Sequence, residues 1–201
     1  SAALAQVQVT TYHNDNERTG QNQSEFLLTP KNVSPGLFGK RFVHDVDGGI
    51  LGQPLYLPSV TIEGKGMHDV VFVGTAHDSV YAFDADSNAG ANNDPLWQVS
   101  FLNSSEKITP VPNSDVGCPV IAPELGIIGT PAIDPASGTL YVVAETKDPG
   151  SNYAFRLHAL DVANGAEKPG SPVVVSAPGF SAFENKQRAG FLKSGPTARC
   201  W

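Results

Sequence analysis

The sequence predicts an all-β protein in which short antiparallel strands are grouped into a repeated unit. Three observations point there. Gly (20) and Pro (16) are abundant in the 201 residues, and each breaks helix interiors for its own backbone reason. Val, Ile, Tyr and Phe crowd into short runs that Gly, Asn, Asp and Pro punctuate, which is strand-and-turn chemistry. Finally, Gly52-Gln-Pro54 recurs as Gly129-Thr-Pro131, and Ala82-Phe-Asp84 as Ala159-Leu-Asp161, both at an offset of 77.

Between these anchors the spacing shifts and then recovers. Asp69-Val-Val-Phe-Val73 matches Thr139-Leu-Tyr-Val-Val143 at an offset of 70. The first copy has the longer loop before this strand and the second the longer hairpin after it, so one structural unit is used twice. The first unit predicts strands at 53–57, 70–75, 79–84 and 96–101, and the second at 130–134, 139–146, 153–161 and 172–176. His77-Asp78 and Ser137-Gly138 stand where tight hairpins belong. Four antiparallel strands per unit, repeated, describe the blades of a partial β-propeller. The expected organisation is an N-terminus at 1–8, a partial blade at 9–50, a first full blade at 51–102 and an inter-blade loop at 103–128. A second full blade follows at 129–178, and the start of a third at 179–201. Propellers close with about 4 to 8 blades, so the expected partners are the remaining blades, and the chain reads as a fragment.

Charge and composition narrow the function. Charged residues are 16% and hydrophobic ones 40% of the chain, the balance of a folded domain. A net charge of −7 with 13 scattered Lys and Arg argues against nucleic acid, which needs clustered cations. No apolar run approaches the roughly 20 residues a membrane span requires. The opening Ser1-Ala-Ala-Leu-Ala-Gln6 reads either as the small-residue end of a signal peptide or as a frayed terminus. Cys118 and Cys200 are the two cysteines. A disulfide between them suits an oxidising compartment, and sequence leaves its geometry open.

The blade motifs carry a resemblance. The first unit gives Ala82, Asp84, Gly90 and Trp97, with residues 88–94 enlarging the turn, and the second gives Ala159, Asp161 and Gly165. The opening Tyr12-His-Asn-Asp-Asn-Glu-Arg-Thr-Gly20 adds to it. Over residues 9–190 the chain resembles the PQQ-like, quinoprotein-type β-propeller repeat family, whose secreted bacterial members begin in a similar way. The resemblance implies that Trp97 packs between neighbouring blades. In the second unit Pro169 stands where a Trp would fall, which weakens the docking motif there. It also implies a secreted or periplasmic protein, and, in a complete enzyme of this kind, pyrroloquinoline quinone (PQQ) with a calcium ion. Quinoprotein dehydrogenases generally use a vicinal cysteine pair, and this chain has no adjacent cysteines. The expected function is therefore a binding or structural propeller whose ligand is a protein or cell-surface material, with a PQQ-dependent oxidoreductase as the alternative. Past Asn185-Lys-Gln-Arg-Ala-Gly190 the chain departs from the pattern, and Lys193-Ser-Gly-Pro-Thr-Ala-Arg-Cys-Trp201 reads as a truncated or frame-shifted end.

No residue is expected to be catalytic. The candidates for cofactor binding are Glu124, Asp115 and His77. The first two lie in the Pro-rich 103–128 segment, which reads either as a functional loop over a channel or as a lid on a blade edge. His77 and Asp78 are adjacent, so on a strand they would point to opposite faces, and a hairpin role is expected. Asp84, Asp86 and Asn88, followed by Asp94, place oxygen donors at alternating positions as calcium loops do. Gly90 falls one place late for such a loop and the closing Glu is missing, so ordinary turn chemistry competes. His13, His44, His68 and His158 read as lone surface or packing residues, and Arg18 as a structural cation for carbonyls of a neighbouring blade. Asn22, Asn32 and Asn103 begin glycosylation sequons, a short and common match.

Overall fold

A computed structural model describes residues 7–22, 25, 27–116, 123–186, 192–194 and 197–199. They form an all-β chain with two main antiparallel sheets, neither closed into a barrel. The first sheet holds β1 (Leu55–Ile62), β2 (Gly66–Gly74), β3 (Ser79–Asp84) and β4 (Trp97–Ser100), in that spatial order. The second holds β5 (Thr109–Pro112), β6 (Glu124–Leu125), β7 (Ala132–Asp134), β8 (Thr139–Asp148), β9 (Asn152–Asp161) and β10 (Val173–Val174). Its order is β10-β9-β8-β5-β6, with β7 also on β8. A separate hairpin pairs β11 (Leu192–Ser194) with β12 (Thr197–Arg199).

Every strand expected in the two units is present, with ends shifted by a few residues. Two short strands appear where a loop is expected. β5 and β6 lie within residues 103–128, and β5 pairs with β8 through Thr109↔Lys147 and Pro110↔Thr146. β8 is ten residues long, so one edge has room for β7 at Thr139–Tyr141 and for β5 further on. Proline lacks a backbone N–H and suits such a marginal, two-pair edge.

The side-chain alternation assigns the faces. In β2 and β3, Val70, Phe72, Val80 and Ala82 turn one way, while Val73, Tyr81 and Phe83 turn the other. In β8, Leu140, Val142 and Ala144 oppose Val143. One buried cluster joins the first set to Leu140, Val142, Ala144 and Leu160, so the two sheets pack face to face. The outer face of the first sheet is covered from the N-terminal segment by Val46. That of the second is covered by Phe180 and Ala182. Both sheets are buried on both faces at their centres, which is why all six residues of β3 are buried.

Contacts at both ends fix one sheet on the other. Gly52 lies against Gly129: a Cβ at Gly52 would stand 2.8 Å from the Gly129 carbonyl oxygen. The Gln53 N–H donates to Thr130 Oγ1 at 2.9 Å. The repeated anchors thus touch their own equivalents. At the other end, Trp97 on β4 donates its indole N–H to the Val162 carbonyl at 2.9 Å, and its ring lies over Gly165, where a Cβ would come within 2.7 Å. Between them, Phe101 stacks on His158 with ring centroids 3.6 Å apart. The N-terminal chain also spans both sheets. Val9 exchanges two 2.9 Å hydrogen bonds with Tyr56, and the Ile133 N–H donates to the Thr10 carbonyl at 2.7 Å.

Candidate functional site

The polar groups of interest gather where the β2–β3 turn, the β8–β9 hairpin and the 103–128 segment meet. The turn is tight: the Thr75 N–H donates to the Ser79 carbonyl at 2.9 Å and the Asp78 N–H to the Thr75 carbonyl at 3.1 Å. Asp78 takes the left-handed conformation the turn needs, with φ of 54°, which Asp tolerates better than most residues. Two lead-in segments flank this turn. On one side the Ala76 N–H donates to the Gly49 carbonyl at 2.8 Å, and on the other the Ile127 N–H donates to the Thr75 carbonyl at 3.2 Å.

Each segment brings a carboxylate. Asp47 accepts from Thr75 Oγ1 at 2.8 Å and from Ser79 Oγ at 2.5 Å. Glu124 on β6 pairs through Oε1 with His77 Nδ1 at 2.7 Å. Two of the three cofactor-binding candidates, His77 and Glu124, are therefore partners of each other across 47 residues. The third, Asp115, stands in a separate group: its Oδ2 accepts from Lys147 Nζ at 2.5 Å and Tyr153 OH at 2.8 Å. The Lys147 bond foremost, then the Tyr153 bond, hold Asp115 below the usual carboxylate range, and Asp115 in turn raises both partners. These contacts tie the 103–128 segment to the turn of the first sheet and the hairpin of the second.

Two fully buried acids lie beneath. Asp78 has no solvent exposure, and neither of its carboxylate oxygens has a hydrogen-bond partner among the described residues. Burial first, then the charges of Glu145, Glu124 and Asp47, push it well above the ordinary range, against a weak opposing pull from the Glu145 backbone N–H. Glu145, on β8, is also fully buried. Its Oε1 accepts from Lys186 Nζ while Oε2 has no partner among the described residues. Burial raises it, and Lys186 opposes that rise.

The alternating oxygen donors after β3 form a turn. Asp84 Oδ1 accepts from the Asp86 N–H at 3.0 Å and the Ser87 N–H at 2.8 Å, and Oδ2 pairs with His68 Nδ1 at 2.7 Å. Burial works against ionisation, yet these bonds together hold Asp84 below its usual range. Asn88 directs its Nδ2 to the Val43 carbonyl at 3.1 Å. The equivalent Asp161 caps its own turn through the Ala163 N–H at 2.8 Å, so the repeated Asp serves backbone geometry in both units. Among the described residues no group of three or more His, Cys, Asp or Glu is placed to hold a metal ion. With Glu124 and Asp115 bound to protein partners as well, this donor set does not fit the calcium of a quinone site.

The remaining histidines are less solitary than expected. His68 pairs with Asp84, and His44 stacks on Phe83 with centroids 4.4 Å apart. His158 pairs with Glu167 at 3.0 Å, and His13 stacks on Tyr12 at 3.9 Å. Arg18 Nη1 donates to Thr11 Oγ1 at 2.7 Å and to the Tyr12 carbonyl at 2.5 Å, within its own loop. Loop closure at Tyr12–Gly20 thus uses one guanidinium nitrogen. Asn32 spends its Nδ2 on the Leu27 carbonyl at 2.6 Å, and Asn103 caps a local turn through the Ser105 N–H at 3.1 Å. Asn22 shares its Nδ2 with Glu25 at 3.2 Å. Cys118 and Cys200 lie outside the described residues.

Asp47, Glu145 and Lys186 are absent from the sequence-based candidates, and Asp78 is weighed there only beside His77, as a hairpin residue. A signal for one of them exists. The offset of 77 extends backwards, setting Asp47-Gly-Gly-Ile-Leu-Gly52 against Glu124-Leu-Gly-Ile-Ile-Gly129, and so marks the two flanking acids as equivalents. Compared with known proteins, the chain matches no family model and no curated protein.

Proposed function

We propose that the two face-packed sheets are neighbouring blades of a β-propeller that works as a binding or structural module outside the cytoplasm, not as an enzyme. The blade reading is supported by the Trp97 contact with Gly165 and Val162 and by the contact between the repeated Gly52 and Gly129. Radially packed blades need such recurring locks because each is a separate sheet with no strand-to-strand ladder to the next.

The observation that carries the non-catalytic reading is the strap. Glu124 and Asp115 belong to the segment crossing from one sheet to the other, and both are engaged with His77, Lys147 and Tyr153. A carboxylate that holds a segment in place is already committed, whereas a cofactor site needs convergent groups free to meet a ligand. The role left for this end of the molecule is to present a fixed surface to a protein or cell-surface ligand.

The test is calorimetric titration of the protein with pyrroloquinoline quinone and calcium together. The expected result is no saturable heat. Saturable, calcium-dependent binding of the quinone would overturn the proposal in favour of a quinone-dependent oxidoreductase.

A further inference from the structure

The β2–β3 turn is the point where the 124–128 segment of the second sheet meets the first, and the contact has no slack. A Cβ at Gly126 would lie 2.5 Å from the Ala76 carbonyl oxygen and 2.7 Å from Asp78 Oδ1. Asp78 is therefore walled in by the very segment it receives. Its main chain is committed too, with its carbonyl accepting from the Phe101 N–H at 2.9 Å. Among the described residues both buried carboxyl oxygens lack a hydrogen bond of ordinary geometry, and the Glu145 backbone N–H only partly favours the charged form.

We propose that Asp78 is a proton-operated latch: neutral, it lets the 124–128 segment close on the β2–β3 turn, and on ionising it releases that segment and loosens the joint between the two sheets.

The charged groups around it are Asp47 from the N-terminal lead-in, His77 on the same turn, Glu124 on β6 and Glu145 on β8. Lys186 stands behind them, bound to Glu145. The two cationic groups are taken: His77 faces Glu124 and Lys186 faces Glu145. Among the described residues none is left to neutralise Asp78, and an unpaired carboxylate in a site closed to water is expensive. The sign follows from linkage. Folding holds the proton on Asp78, so the closed joint is fully stable below the pKa of a solvated Asp. It weakens as pH rises from there towards the raised value in the closed state.

The Ile127 amide reports on the latch, because its N–H is bonded to the Thr75 carbonyl. Hydrogen exchange at Ile127, corrected for its intrinsic pH dependence, is measured from pH 4 to pH 9 on the wild type and on Asp78→Asn. Asn keeps the shape of the neutral acid and tolerates the left-handed φ. In the wild type, opening should increase about tenfold per pH unit until Asp78 has ionised, and in Asp78→Asn the dependence should be flat. Glu145→Gln should weaken the wild-type dependence, because it removes the neighbouring negative charge that opposes ionisation of Asp78. Direct carbon NMR of the Asp78 carboxyl in the wild type needs no variant, and it should titrate well above an ordinary Asp. Titration near pH 4 would overturn the latch. A pH dependence that survives Asp78→Asn would assign the effect to another group and overturn it as well. Closure of the wild-type joint at high pH by millimolar calcium would do the same, by making the neutralising partner a cation.

Discussion

The two repeated units have the same four strands and end very differently. In the first, β4 runs for four residues, and its Trp97 is buried against the second sheet. In the second, β10 has two residues, Val173 and Val174, and both are exposed. What differs is a side chain that reaches across to another sheet: the first unit supplies an indole, and at the matching place the second has Pro169. A last strand is thus made long and buried less by its own ladder than by what it can lock onto.

That comparison can be broken most severely at the lock itself. Trp97→Ala removes a buried aromatic and strands the Val162 carbonyl, so it should cost about 3–5 kcal/mol, read as a lower urea midpoint. Gly165→Ala attacks the same contact from the other side, at a φ of 74° and with a Cβ 2.7 Å from the indole. It should cost about 2–4 kcal/mol. Gly64→Ala is the control, since its φ of 71° is similar but nothing stands within 4 Å, and its loss should be nearer about 1 kcal/mol by the same thermal or urea measurement.

A gentler test uses pH. His158 lies between the sheets on Phe101, and burial lowers its pKa against the opposing pull of Glu167. The folded state therefore favours the neutral ring. The stability this gives is complete above the ordinary His value and is lost as pH falls through the depressed one. Melting temperature should drop on acidification across this window, and His158→Gln should drop less. The smallest effect is expected at the other end of the comparison. Val174→Thr on exposed β10 should change stability by no more than about 0.5 kcal/mol, and a larger change in the urea midpoint would mean that β10 is locked after all.

Much of the fold was legible in the sequence because strand alternation and repeat spacing are local signals. The eight strands of the two units follow from runs such as Val70–Val73 and Leu140–Val143 between turn residues. β5 escaped notice for a physical reason. Thr109-Pro-Val-Pro112 carries two prolines, so its chemistry denies a strand, and only the spare edge of the long β8 provides a place for it. The site was legible in part. Acidic residues in a Pro-rich crossing segment drew attention to Glu124 and Asp115, yet their partners His77 and Lys147 are set by the packing of distant segments. Asp78 was visible as a turn residue. Its burial was not, because that depends on Gly126 closing over it from another sheet.

The meeting of Gly52 with Gly129 has a consequence for how such a chain can lengthen. Each glycine is the same position of its own 77-residue cassette, but the Cβ side of Gly52 faces the carbonyl oxygen of Gly129, so one face of the first copy meets a different face of the next in head-to-tail order. An interface of that kind does not close after two members. A further cassette arrives already carrying the complementary face, and growth by tandem duplication requires no new contact to be invented. Insertions are absorbed at the outlying hairpins, such as 63–65 and 149–151, where the backbone is exposed. Between Gly126 and Pro131 the neighbouring sheet leaves no room for one.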